Sequence, residues 1–152
     1  MPNRPRCVAT ARVALSFLAA CSFPTFAAVQ ADAPPTWIDA ASATYRGIGD
    51  LPQVTLANGR WEGAPAAPGA ASRPVVTLVR DAMAVGDLDA DGAADAVVLL
   101  SLATGGSGDT SYLAVLSRRA GIVSHVATAT LGDRVQLRSL AISGTQAVVE
   151  VV

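Results

Sequence analysis

Carboxylates recur at nearly every second position in one stretch of the chain, a spacing typical of a calcium-coordinating loop. The side chains are those of Asp87, Asp89, Asp91 and Asp95. Calcium takes about six to eight oxygen ligands, and loop positions one, three and five can point their oxygens into one concavity. Gly92 at position six permits the sharp turn, and Ala93 at position seven would offer its backbone carbonyl. The pattern predicts a calcium site built from these four carboxylates and Ala93.

The elements that flank this loop are those of a sheet and not of an EF-hand. An EF-hand requires a bidentate glutamate at position twelve, and that position is Val98. Residues 82–86 and 96–100 are short apolar runs rich in valine, which favours buried strands over helices. The sequence therefore predicts a strand–loop–strand unit.

This unit resembles the calcium loops of FG-GAP and VCBS repeat proteins. Those loops have the pattern Gly-Asp-x-(Asn/Asp)-x-Asp-Gly-x-x-Asp followed by an apolar strand, and residues 86–100 are similar to it. The resemblance implies a calcium ion that staples a hairpin. A carboxylate-only site also fits zinc catalysis poorly, because zinc favours histidine and cysteine ligands.

A plain acidic turn is the alternative interpretation of the same residues. Aspartate and glycine favour turns on their own account. A turn needs only one or two aspartates, however, and four carboxylates within nine residues repel one another unless a cation is present. We therefore expect a structural ion, with the unoccupied turn as the competing hypothesis.

The N-terminus is typical of an exported protein. Arg4, Arg6 and Arg12 precede an apolar run at residues 13–20, which is too short to span a bilayer. We expect residues 1–20 to be a signal peptide and residues 21–36, which are rich in alanine and proline, to be a tether. The protein would then lie in the periplasm or on the outer membrane.

Two processing routes fit the leader. The residues before Cys21 resemble a lipobox, in which the cysteine becomes the acylated first residue of a lipoprotein. Ordinary signal peptidase cleavage is the alternative, since Thr25 and Ala27 are small residues at suitable places. We favour lipidation of Cys21, which would be the domain's only link to a membrane. Cys7 also lies in the leader, so no disulfide is expected in the folded domain.

Charge excludes some partners. The chain has 11 basic and 12 acidic residues. Without the three arginines of the leader, eight basic residues remain, and the net charge is about −4. This balance argues against nucleic acid or an anionic membrane surface as a partner.

Residues 37–152 are expected to form a single β domain. Short apolar runs separated by turns, such as the Asn58-Gly59 turn, predict about eight short strands in an antiparallel sandwich or barrel-like sheet. Residues 37–45 are expected to form one short N-terminal helix that places Trp37 and Tyr45 on a shared stripe. The last expected strand is residues 147–152, and an end within a strand suggests a truncated product.

A second resemblance covers residues 38 to 152. The chain is similar to an uncharacterised family of bacterial exported proteins, often lipoproteins, in the stretches ATYRG (43–47), LANG (56–59), RPVVTL (73–78), GDLDADG (86–92), GGSG (105–108) and VATATLGDRV (126–135). The family continues into a Cys-Cys-Pro segment that this chain lacks. The resemblance implies export and the acidic loop, and it supplies no activity.

No catalytic constellation accompanies the loop. His125 is the single histidine, no Gly-x-Ser-x-Gly motif is present, and we expect a solvent-facing strand histidine. The doublet of Arg118 and Arg119 is expected to end a strand and blunt an edge. We therefore expect a non-enzymatic envelope domain with an unknown partner. An envelope hydrolase, or an accessory domain of a longer protein, is the alternative.

Overall fold

A computed structural model describes residues 32–65, 68–69, 71–106 and 108–152 of the chain. These residues form one helix and nine strands, which confirms the expected mainly β, antiparallel fold with one short helix. The expected signal peptide and Cys21 lie outside the described residues. The elements are α1 (Trp37–Ser42), β1 (Thr44–Tyr45), β2 (Val54–Thr55), β3 (Arg60–Glu62), β4 (Val75–Gly86), β5 (Asp95–Ala103), β6 (Asp109–Arg119), β7 (Ile122–Asp133), β8 (Leu137–Ser143) and β9 (Gln146–Val151).

The centre of the fold is a curled five-stranded antiparallel sheet in the order β3-β4-β5-β6-β7. Strand β5 lies in the middle, and its first six residues are all buried. A strand covered on both faces must be apolar at successive positions and not only at alternate ones. The run that follows Asp95 meets this requirement, which is why the strand that leaves the acidic loop lies at the core.

One face of the central sheet packs against the N-terminal segment. Tyr45, Ile48 and Val54 are fully buried there. They contact inward-facing residues of the sheet such as Val98 and Leu100. The Tyr45 hydroxyl donates a hydrogen bond of 2.8 Å to the carbonyl of Ala40 near the end of α1. The two residues of the aromatic stripe therefore belong to the core, with Tyr45 inside it and Trp37 packed against it.

Helix α1 is shorter than the sequence pattern predicts. Thr36 and Asp39 form a capping box at its start, but the chain becomes extended at Ala43. Thr44 and Tyr45 then pair with β2, so that Tyr45 reaches the core from a strand. The expected helix over residues 37–45 is thus wrong in its last turn, because pairing with a later strand prevails over local periodicity.

The segment before α1 contacts the domain. Pro35 is fully buried, and the Thr36 side chain caps the helix. The carboxylate of Asp32 accepts a hydrogen bond of 3.2 Å from the Gly121 amide in the turn between β6 and β7. The described end of the expected tether is therefore packed against the fold.

The other face of the central sheet is covered by the β8–β9 hairpin, which forms a sheet of its own. Ile142 and Val149 of the hairpin pack against a second cluster that includes Val97 and Leu99. Side chains alternate between the two faces of a strand, so neighbours in β5 serve opposite clusters. The fold is consequently a three-layered arrangement with the central sheet in the middle.

The strand that the sequence predicts at residues 82–86 is the second half of a longer strand, β4, which begins at Val75. Its pairing with β5 shifts register between Leu78 and Met83. Asp81 adopts a φ of 62° at this irregularity, as expected for a bulge. Because of this bulge, β4 continues as one strand from the residues that pair with β3 to the start of the acidic loop.

The Asn58-Gly59 turn forms with φ values of 53° and 80°, as its residue types predict. The strands on either side of the turn do not pair with each other, however, since β2 pairs with β1 and β3 pairs with β4. The turn thus links two sheets.

Among the described residues, α1 is the single helix, and its six residues are too few to span a bilayer.

Candidate metal centre

The acidic loop joins the end of β4 to the start of β5. Its backbone amides are held by its own carboxylates: the amide of Gly92 donates to Asp87 Oδ2 at 2.9 Å, and the amide of Leu88 donates to Asp95 Oδ2 at 3.2 Å. Gly92 has a φ of 86°, a conformation that favours glycine. The loop therefore turns at the residue predicted from the sequence, with carboxylates directed inward.

Three of the four predicted carboxylates converge. One oxygen each from Asp87, Asp89 and Asp95 lies within 4.8 Å of the others. Asp95 is only 3% exposed, Asp87 is half-buried and Asp89 is exposed. The group therefore extends from the interior of the domain to solvent, and it could hold a metal ion.

The Asp87 carboxylate supplies the clearest sign that the cluster can bind a cation. Its Oδ1 is shielded from solvent and has no hydrogen-bond partner among the described residues. An unpaired buried oxygen of a charged group is costly. A cation bound among the three carboxylates would satisfy this oxygen and would offset their mutual repulsion.

Asp91 lies differently from the other predicted carboxylate ligands. Asp91 is outside the converging group, and its carboxylate accepts a hydrogen bond of 2.8 Å from the Ala93 amide. It also forms an ion pair with Arg119. The structure thus connects the predicted fourth carboxylate to a basic residue.

Arg119 is the member of the site that the sequence analysis missed. Its guanidinium donates to Asp89 Oδ2 at 2.6 Å in addition to pairing with Asp91. The doublet ends β6 as expected, but β6 lies between β5 and β7, so the expectation that the doublet blunts an edge is wrong. The signal was available in principle, because antiparallel pairing of β6 with β5 places the end of β6 beside the start of β5 and hence beside the loop.

Arg118, the other member of the doublet, points to the opposite face. It donates a hydrogen bond of 2.6 Å to Asp39 of the capping box. Hydrogen bonds from Thr36, together with this guanidinium, hold the pKa of the Asp39 carboxyl below its ordinary value. The ion pair fastens α1 to the central sheet.

The donor set consists of oxygen atoms alone. Carboxylate oxygens suit hard cations such as calcium, magnesium and manganese, whereas zinc and copper favour nitrogen and sulfur. Among the described residues no histidine or cysteine belongs to the group. The chemistry of the cluster is therefore that of a hard cation.

His125 is half-buried, so the expected solvent-facing position is wrong. Its ring lies edge-on to Tyr45 with ring centroids 5.6 Å apart. Its Nε2 lies 2.8 Å from the Thr128 hydroxyl, which donates its own proton to the Arg46 carbonyl at 2.7 Å. The hydroxyl can therefore only accept from the ring, which assigns the Nε2–H tautomer. Burial lowers the pKa of His125, and the charge of Arg46 lowers it further.

Arg134 and Arg138 do not converge on a site. Arg134 Nε lies 2.9 Å from Asp133 Oδ2, and both side chains are largely exposed. Arg138 lies on β8, in the hairpin that follows β7 after a short connection. An exposed ion pair of this kind contributes about 0–1 kcal/mol to the free energy of unfolding. Both arginine side chains belong to the solvated surface of the domain.

Comparisons of the chain with protein-family models, with curated proteins and with solved structures found no significant match.

Proposed function

We propose that this protein is a non-enzymatic, exported β domain of the cell envelope that is stabilised by a calcium ion in the acidic loop. One observation carries the proposal: the oxygens of Asp87, Asp89 and Asp95 lie within 4.8 Å of one another. The shielded and unpaired Asp87 Oδ1 supports the same view. Asp91 and the Ala93 carbonyl are proposed to complete the ligand set after a local rearrangement.

The choice of calcium among hard cations follows from the loop. Calcium accepts irregular geometry and about six to eight ligands, while magnesium requires a near-ideal octahedron. The loop offers several carboxylates together with backbone carbonyls and access to water. Its position between β4 and β5 gives the ion a structural role, because it joins two adjacent strands of the central sheet.

Thermal unfolding of the purified protein tests this role. Calcium should raise the melting temperature relative to a chelator, since a ligand that binds only the native state adds about 2.7 kcal/mol at 100 times its Kd. Magnesium at the same concentration should have a smaller effect. An equal melting temperature in calcium and chelator would refute the proposal.

A pair of isosteric variants assigns the effect to the loop. Asp95→Asn removes a charge from the cluster and should abolish the calcium-dependent rise. Asp50→Asn removes a charge from an exposed residue elsewhere and should keep the rise. If both variants respond to calcium as the unchanged protein does, the ion binds at another place.

Export is proposed from the basic and apolar leader, and lipidation from Cys21. Mass spectrometry of the mature protein purified from a bacterial envelope distinguishes the two processing routes. A diacylglyceryl mass on an N-terminal cysteine supports the lipoprotein. A mature protein that begins beyond Cys21 supports signal peptidase cleavage, and a protein that retains residues 1–20 refutes export.

A further inference from the structure

A cavity adjoins the acidic loop on the face of the central sheet that the β8–β9 hairpin covers. Its volume is about 560 Å³, within the range of small-molecule sites, which is about 300–1,000 Å³. Asp89, Asp95 and Arg119 line one end. The cavity and the candidate metal centre therefore share two carboxylates.

The apolar part of the cavity exists because the hairpin covers the sheet unevenly. The hairpin packs mainly over β4 through β8, and leaves much of β7 uncovered. Val126 of β7 is 62% exposed, and it lines the cavity with Leu88 and Val115. The wall beyond the charged end can thus contact an apolar body.

Ser117 provides an independent sign that the cavity takes a ligand. It is only 5% exposed and lines the cavity, yet its Oγ has no hydrogen-bond partner in the described part of the chain. Its pairing partner on β7 is Ser124, which lines the same cavity. Buried hydroxyls are normally paired. A ligand oxygen near Arg119 would satisfy this hydroxyl.

We propose that the cavity binds a small amphipathic carboxylate, with its head at the metal centre and its tail along Leu88, Val115 and Val126. This inference rests on the proposed calcium site. Asp89 and Asp95 both belong to the carboxylate cluster and line the cavity, so a cation held by them would border the cavity. A carboxylate of the ligand would then bind this cation.

Arg119 would complete the head site. Its guanidinium pairs with Asp89 and Asp91. A cation bound by these carboxylates would neutralise their charge and release the guanidinium. The guanidinium would then present a planar pair of donors to the carboxylate of a ligand. Calcium and Arg119 would offset most of the charge of the loop carboxylates, and each would offer a direct contact to a carboxylate head, while the adjoining wall remains apolar. A carboxylate head with an apolar tail fits both parts.

Isothermal titration of the purified protein with octanoate tests the proposal. Saturable binding is expected in calcium, and we expect it to be at least about tenfold weaker in chelator. Octanol, which has the same tail and no carboxylate, should also bind at least about tenfold more weakly in calcium. Octanoate and octanol of equal affinity would overturn the assigned head group.

Two neighbouring residues of β9 provide a matched pair of variants. Ala147 lines the cavity, whereas Val148 points away from it and is 49% exposed. Ala147→Phe should abolish octanoate binding and keep the calcium-dependent rise in melting temperature. Val148→Phe should leave both unchanged. Octanoate binding that survives Ala147→Phe would place the ligand elsewhere and overturn the proposal.

The outcomes separate this inference from the calcium site. A calcium-dependent melting temperature without octanoate binding overturns the inference and leaves the proposed function standing. Octanoate binding that is equal in calcium and chelator overturns the ion-dependent head site, whether or not the melting temperature responds. Arg119→Gln should weaken octanoate binding, and equal octanoate affinity in this variant would exclude Arg119 from the head site.

Discussion

Gly86 and Ile142 approach so closely that a Cβ atom on Gly86 would lie 2.7 Å from Ile142 Cγ2. Gly86 is the last residue of β4, and Ile142 lies on β8. The contact places the covering hairpin directly against the point at which the chain enters the acidic loop. The first glycine of the loop motif is therefore required by packing between two layers and not by a left-handed backbone.

Gly86→Ala is expected to destabilise the domain by about 1–3 kcal/mol, because the added methyl group forces the hairpin away from the sheet. Urea unfolding measures the loss. Gly106→Ala is the control, since a Cβ there meets no atom within 4 Å. Combining Gly86→Ala with Ile142→Ala, which removes Cγ2, should cost less than the sum of the single changes, and strict additivity would show that the two residues do not clash.

Arg119→Gln is expected to raise calcium affinity, because the guanidinium and the ion compete for Asp89. Both side chains of this pair are about half exposed, at 53% and 50%, so the ion pair contributes about 0.2–1 kcal/mol. The dissociation constant should fall by up to about fivefold. Calorimetric titration with calcium measures the change, with Arg138→Gln on β8 as the control. Weaker calcium binding in Arg119→Gln would contradict competition.

His125 should make stability depend on pH just below neutrality. Its pKa in the fold is lowered from the ordinary value of 6.5, so the unfolded chain binds the proton more readily. The free energy of unfolding must therefore fall as the pH drops through 6.5 towards the folded pKa. The lowered pKa of Asp39 acts in a separate and more acidic window, below its ordinary value of 3.8.

His125→Gln keeps a side-chain N–H for Thr128 and removes the titration. Its urea-unfolding free energy should vary less between about pH 7.5 and 5 than that of the unchanged protein. The same pH dependence in both proteins would assign the effect to other groups.

Tyr45→Phe is expected to cost about 0.5–1.5 kcal/mol, because the buried Ala40 carbonyl loses a hydrogen bond of 2.8 Å. This carbonyl lies near the end of a six-residue helix, where it also accepts a longer bond of 3.4 Å from the Ala43 amide. Tyr112→Phe, at a tyrosine that is also 5% exposed or less, is the comparison. An equal loss in both variants, measured by urea unfolding, would remove the special role of the Tyr45 hydroxyl.

Local patterns in the sequence were sufficient for the fold class and for the turn residues. The apolar run that follows Asp95 predicts a strand buried on both faces, and Asn58-Gly59 predicts its turn, since both depend on neighbouring residues alone. The end of α1 depends instead on Thr44 pairing with Thr55. Periodicity within residues 37–45 contains no information on that partner.

The candidate site divides in the same way. Asp87, Asp89 and Asp95 are close in sequence, and a single loop brings their oxygens together. Arg119 follows Asp89 by 30 residues, and its position depends on the register of β6 against β5. The sequence pattern cannot predict that register until the strand lengths and the bulges are known.

The separate sheet formed by β8 and β9 has a consequence for exchange of amide protons with solvent. The hairpin contacts the central sheet through side chains, while β5 is hydrogen-bonded to a strand on each side and covered on both faces. Amides of β8 and β9 can exchange when the hairpin alone detaches, whereas those of β5 must wait for the whole domain to open. Native-state exchange should therefore resolve two opening free energies within this one domain, the smaller belonging to the layer that borders the acidic loop.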